Sequence, residues 1–249
     1  DPYSWQKLCC IDDDNKRIVD INILFWGRVM IKAFIFDLDG VIIDSEPLHY
    51  EADKIVFREF GIELADGELD GYVGIDTRQM VTELRDKYNI ETSVDDLLEK
   101  LQCVKLDLLK TWKFEAIDGI RDLISDLKNN NIAIALASSS PMRFIRLAIE
   151  KIGISKHFDL IVSGEHVDKS KPEPDIFLRA AHLLEVKPSE CLVLEDSVNG
   201  VTAAKRAGMK CIGFLNPNSG NQDLSKADKI VTTLERLEYK DLFNNPGKK

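Results

Sequence analysis

Lys32-Ala33-Phe34-Ile35-Phe36-Asp37-Leu38-Asp39-Gly40 is an apolar run that ends in two carboxylates and a glycine. A near-continuous apolar run of this length fits a strand covered on both faces, as in a parallel sheet. Similar runs recur at 132–137, Leu160–Ser163, 191–194 and 211–214, with a weaker one at 229–232. Helical patterns separate them. Ile120, Leu123, Ile124 and Leu127 fall on one face, as do Ile145, Ala148, Ile149 and Ile152. Gly153 and Gly208 read as helix stops, and Pro174 suits the first turn of a helix running towards Leu184. Strands alternating with helices predict an α/β fold, a doubly wound, Rossmann-like parallel sheet.

The alternation breaks once. After Phe36 no strand-like run begins until about Ile132. The intervening stretch reads as helices, with Leu48, Ala52, Ile55, Val56 and Phe60 on one face and later segments at Thr77–Lys87 and 94–113. The sequence therefore predicts a core domain, 30–45 and 113–245, carrying an inserted α-helical cap domain at 46–112. Its hinges are expected near 44–45 and 112–116. Residues 1–29 lack clear periodicity and are expected to be a leader or non-native extension ahead of Met30; 244–249 should be a frayed tail.

Composition narrows the function. Of 249 residues, 44% are apolar and 31% charged, and 43 acids against 33 bases give a net charge of −10. That disfavours a nucleic-acid-coating protein, although a local basic funnel could still hold an anionic substrate. No apolar run reaches bilayer length, since 18–26 is short and contains Asp20. The five cysteines form no CxxC pair, and the four histidines have no zinc-ligand spacing. A cytoplasmic, reduced protein is expected, monomeric and without nucleic-acid or membrane partners.

Four short segments at the carboxyl ends of predicted strands carry the chemistry. Asp37-Leu38-Asp39-Gly40 turns two carboxylates into the crevice where open α/β sheets bind ligands. Ala137-Ser138-Ser139-Ser140-Pro141 offers hydroxyls and backbone N–H groups ahead of a helix, which by itself is a simple helix cap. Lys169-Ser170-Lys171-Pro172-Glu173-Pro174 places a lysine on a proline-stiffened loop. Leu194-Glu195-Asp196-Ser197 adds a second acidic pair. Carboxylates converging on a phosphate dianion require counter-charge, and a magnesium ion with one lysine is the minimum.

At these residues the chain resembles the haloacid dehalogenase superfamily, in the β-phosphoglucomutase-like phosphatase and phosphomutase group with a helical cap. The matching segments are DLDGVIIDSEPLH (37–49), ASSS (137–140), SKPEPDIF (170–177) and LEDSVNG (194–200). The resemblance implies that Asp37 is a nucleophile forming an aspartyl-phosphate and Asp39 the general acid/base. It implies that Ser138 and Lys171 hold the transferring phosphoryl group. Mg²⁺ would be bound by Asp37, the Asp39 backbone carbonyl and Asp196, with Glu195 nearby or acting through water. Asp39 also argues against dehalogenation. Ser139, Ser140, His49 and Arg78 are the expected substrate-binding residues, and Lys100 or Lys105 could supply a cap lysine.

The expected activity is hydrolysis of a small phosphorylated metabolite, a sugar phosphate, with a phosphohexomutase as the alternative. In the mutases the serine loop continues with a polar residue that helps hold a second phosphate, whereas here Met142 stands there. A receiver-like signalling phosphoprotein is the remaining alternative. Receivers are shorter, lack a helical cap and place the acidic pair ahead of a separate acceptor. Neither GxxxxGK[ST] nor GxGxxG is present.

Overall fold

Ala33–Phe36 (β1) has no exposed side chain, because it lies in the middle of a six-stranded parallel sheet. The computed structural model describes residues 25–26, 29–72 and 77–242. The other strands are Ala133–Ser138 (β2), Leu160–Ser163 (β3), Cys191–Glu195 (β4), Lys210–Phe214 (β5) and Lys229–Val231 (β6). Their spatial order is β3-β2-β1-β4-β5-β6. Strand order reverses beside β1, so the crevice at the carboxyl ends of β1 and β4 is the ligand position for such a sheet.

Alternation along the strands builds two apolar layers. Phe34, Phe36, Ile134, Leu136, Leu192 and Leu194 face one side, where helices Ile120–Asn129 (α4) and Met142–Lys151 (α5) pack. Ala33, Ile35, Ala135, Ala137, Cys191 and Val193 face Asp175–Leu183 (α6) and Val198–Arg206 (α7) on the other. Small residues on the second face let those helices approach closely. Replacing Phe36 by Ala would cost about 3–5 kcal/mol through lost burial and the cavity left behind. Gly153 and Gly208 follow α5 and α7 with φ of 73° and 75°, the left-handed conformation that ends a helix.

Between β1 and β2 lie Glu46–Arg58 (α1), Thr77–Lys87 (α2) and Val94–Thr111 (α3). These helices bury their own cluster, including Val56, Phe57, Met80, Val81, Leu84, Leu97 and Leu101. The apolar face of α1 is shifted from the expected one. Phe57 is fully buried while Ile55 and Phe60 are half-buried, because α2 and α3 pack to one side of the Leu48–Ala52–Val56 stripe. Leu48 and Leu109, near the two ends of this segment, join the sheet-side layer instead. The two chain crossings run side by side: Ile43 bridges Ala116, and Ile117 N donates to Ile42 O at 2.8 Å.

A two-residue antiparallel ladder, Phe25–Trp26 against Val29–Met30, precedes the sheet. Apart from it, the expected leader at 1–29 lies outside the described residues, as does the expected tail at 244–249. Among the described residues no helix is long and apolar enough to cross a membrane.

Candidate active site

The loop after β1 is built around Gly40. Its φ is 75°, and a side chain there would overlap the Asp196 carboxylate. Ile42 N and Ile43 N return to Leu38 O, and Asn216 Nδ2 donates to Gly40 O at 2.9 Å. This tight turn brings Asp37 and Asp39 into the same crevice as the ends of β2 and β4.

Asp37 is buried, and its backbone N–H donates to Leu194 O at 3.1 Å. Lys171 Nζ donates to Asp37 Oδ1 at 2.5 Å, to Glu195 Oε1 at 2.6 Å and to Ala137 O at 3.2 Å. Phe177 lies beneath the ammonium, 5.1 Å from nitrogen to ring centroid. Glu195 is held on its other oxygen by Asp196 N, Ser197 N and Ser197 Oγ. A side chain at position 200 would strike the Glu195 carboxyl, so Gly200 in α7 makes room for it. Glu195 is thus a fixed anchor for the lysine. Asp196 accepts from Ser219 Oγ.

One oxygen each of Asp37, Glu195 and Asp196 can meet within 4.8 Å. Burial pushes Asp37 up to about 8, with Lys171 opposing and Glu195 and Asp39 reinforcing the rise. Asp196 is raised well above the carboxylate range by burial, then by Glu195 and Asp37. Burial works against the Lys171 charge, but the two carboxylates outweigh it and hold its proton more firmly than usual. Three buried carboxylates share one ammonium. This donor set, all oxygen and short of positive charge, fits a hard divalent cation.

Asp39 faces the other way. Its Oδ1 accepts from Ser45 Oγ at 2.6 Å and lies 3.4 Å from His49 Nε2. Its Oδ2 accepts from Ser140 Oγ at 2.8 Å and Ser138 Oγ at 3.2 Å. Burial alone would raise this carboxyl, but hydrogen bonds from His49, Ser45 and Ser140 hold it below the usual range. Burial and the nearby Lys105 lower His49. In the tautomer protonated on Nε2 the imidazole donates to Asp39. Its ring stacks on Phe144 at 5.7 Å.

The eight residues Asp37, Asp39, His49, Ser138, Ser140, Lys171, Glu195 and Asp196 thus converge, and the crevice opens into a cavity of about 750 Å³ reaching α1 and α3. Ser139 lines the cavity but is exposed. Arg78 lies at its edge, largely exposed, with Nη2 2.7 Å from Asp95 Oδ1; Gly74-Ile75-Asp76 before it lie outside the described residues. Of the two expected cap lysines, Lys105 lines the cavity, whereas Lys100 pairs with Glu59. Met142 does not line it, although its neighbour Arg143 does. Sequence reading missed Glu46, Asp53 and Ser219, of which only Ser219 touches a carboxylate of the cluster.

A family model for haloacid dehalogenase-like hydrolases matches residues 34–214. The chain is 32% identical to hexitol phosphatase B of Escherichia coli K12, over 86% of this chain and 97% of that protein. It is also 32% identical to the phosphorylated carbohydrates phosphatase of Thermotoga maritima, over 81% and 93%. Among solved structures, β-phosphoglucomutase from Clostridium difficile superposes with a TM-score of 0.74 at 30% identity, covering 86% of this chain and 98% of that one.

Proposed function

Because this chain belongs to the haloacid dehalogenase-like hydrolase family, we propose that it is a Mg²⁺-dependent phosphatase of small sugar or polyol phosphates, working through an aspartyl-phosphate. The observation that carries this reading is the Lys171 ammonium clamped between Asp37 and Glu195, beside Asp196. Asp37, the Asp39 backbone carbonyl and Asp196 would hold the metal. When bound, Mg²⁺ neutralises the crowded carboxylates and the phosphoryl oxygens.

An Asp37 carboxylate oxygen attacks phosphorus while the bond to the leaving oxygen breaks. Asp39 in its protonated form, the form the second half-reaction regenerates, transfers its proton to that leaving oxygen, yielding the alcohol. In the second half-reaction Asp39 takes a proton from water, whose oxygen attacks phosphorus. The bond from phosphorus to Asp37 breaks and inorganic phosphate leaves. Lys171 and the Ser138 hydroxyl hold the phosphoryl oxygens, and Glu195 fixes Lys171. The helices at 46–112 act as the cap over this crevice, hinged near 44–45 and 112–116, and their closure excludes water.

The second reading, a phosphohexomutase, is favoured by the likeness to β-phosphoglucomutase. A sugar-phosphate panel with and without Mg²⁺ separates the two. Metal-dependent phosphate release supports the phosphatase. Conversion of β-glucose 1-phosphate to glucose 6-phosphate without phosphate release would replace it with the mutase, and no turnover of either kind would overturn both.

A further inference from the structure

Glu46, His49 and Asp53 stand at positions i, i+3 and i+7 of α1, one stripe of the helix, and all three line the cavity. His49 reaches Asp39, so the first turn of α1 lies against the reacting centre. Asp53 sits one further turn away, about 6 Å along the axis. It is only 5% exposed, between the buried Ala52 and Val56. Its Oδ1 is enclosed by protein and has no hydrogen-bond partner among the described residues, which leaves Oδ2 as the oxygen that can meet the cavity. Lys105, on α3, acts on it electrostatically.

A buried carboxylate oxygen with no donor is costly, and packing alone gives no reason to keep one in an apolar stripe. Donors for Oδ2 come from water or from a substrate filling the cavity. Beside Asp53 itself a second phosphate fits poorly, since Glu46 and Asp53 are both acids and Lys105 is the cation acting on the two, with Arg78 and Arg143 lining the same cavity. An apolar group would leave Oδ2 unsatisfied. Hydroxyl groups satisfy it directly.

We propose that Asp53 is a specificity-determining residue that accepts hydrogen bonds from hydroxyl groups at the end of the substrate remote from the phosphoryl group. The substrate is then a phosphate ester of a polyhydroxylated carbon chain or ring whose hydroxyls, not a second phosphate, face Asp53. This deepens the phosphatase reading above and rests on it.

The test compares kcat/KM for glucose 6-phosphate and sorbitol 6-phosphate with that for p-nitrophenyl phosphate, which has no hydroxyls. It uses wild type, Asp53→Asn and Asp53→Leu, with thermal melting of each. The ratio of hydroxylated to aryl substrate should fall at least about tenfold in Asp53→Leu, chiefly through KM, and less in Asp53→Asn, whose amide oxygen still accepts. Melting of Asp53→Leu should rise, because an unsatisfied buried carboxylate has gone. A ratio unchanged within about twofold, or a lowered melting temperature with equal losses on all substrates, would overturn the assignment of Asp53. Wild-type protein that releases no phosphate from any of the three would instead overturn the phosphatase reading itself.

Discussion

Ser140 Oγ donates to Asp39 Oδ2 at 2.8 Å, tying the loop after β2 to the carboxylate after β1. With Ser45 and His49 on the other oxygen, this contact stabilises the ionised form of Asp39. Ser140→Ala removes one donor from the charged form, so the Asp39 pKa should rise by about one unit. Because Asp39 must carry a proton to serve the leaving oxygen, the basic limb of the kcat/KM profile should move to higher pH by that amount. A limb that stays in place or moves to lower pH would show that Asp39 does not govern it.

Asp37→Asn should lower phosphate release at least about 10³-fold while leaving the fold intact. The substitution removes one of three crowded carboxylates, so melting should shift by only a few degrees. Acid-quenched wild type should carry a phosphoryl group on Asp37 by peptide mass spectrometry. A variant that keeps its rate, with deamidation excluded, would remove Asp37 from the nucleophile role.

Lys171→Met leaves Asp37 and Glu195 buried without their counter-charge, which should cost about 3–5 kcal/mol. Protonation then relieves the repulsion, so the variant should regain stability as pH falls from 8 towards 5. Denaturant unfolding at several pH values measures this. A variant as stable as wild type at pH 8 would mean that Lys171 is not the counter-charge of this pair.

Magnesium should raise the melting temperature as well as the rate. At a concentration about a hundredfold above Kd the stabilisation is about 2.7 kcal/mol, or roughly 5–10 °C for a chain of this size. The gain should vanish on chelation and in Asp196→Asn. Equal melting with and without Mg²⁺ would argue against a site at Asp37 and Asp196.

Burial pushes Asp53 up to about 6 from its ordinary 3.8, with Lys105 pulling the other way. A raised carboxyl binds its proton more tightly folded than unfolded. Its penalty is therefore absent below about pH 4, grows between pH 4 and 6, and is constant above. The stability advantage of Asp53→Leu should follow that curve and reach about 3 kcal/mol, an upper figure. An advantage independent of pH would mean that the carboxyl is not the source.

The sheet was legible in the sequence because strands covered on both faces leave uninterrupted apolar runs, and the six expected runs match β1 to β6 to within a residue or two. Asp37, Asp39, Glu195 and Asp196 were legible because acids rarely follow such runs directly. The cap side was not. Lys100 and Lys105 look alike in sequence, yet five residues turn a helix through about 500°, so they point to different sides. Only the packing of α3 against α1 decides that Lys105 meets the cavity. Asp53 reads as an ordinary solvated helix position until Val56 and α3 are seen to enclose it. Ile55, expected on the buried face, is half-buried, whereas Phe60 packs against the cap cluster from just beyond the end of α1.

The space at Gly40 is already occupied by a neighbour's carboxyl group, 156 residues further along the chain. Even alanine would have to evict Asp196 before it could be accommodated. Mutational drift at position 40 is therefore vetoed by the residue after β4 as well as by its own turn, and a saturation library should return glycine there alone among active clones.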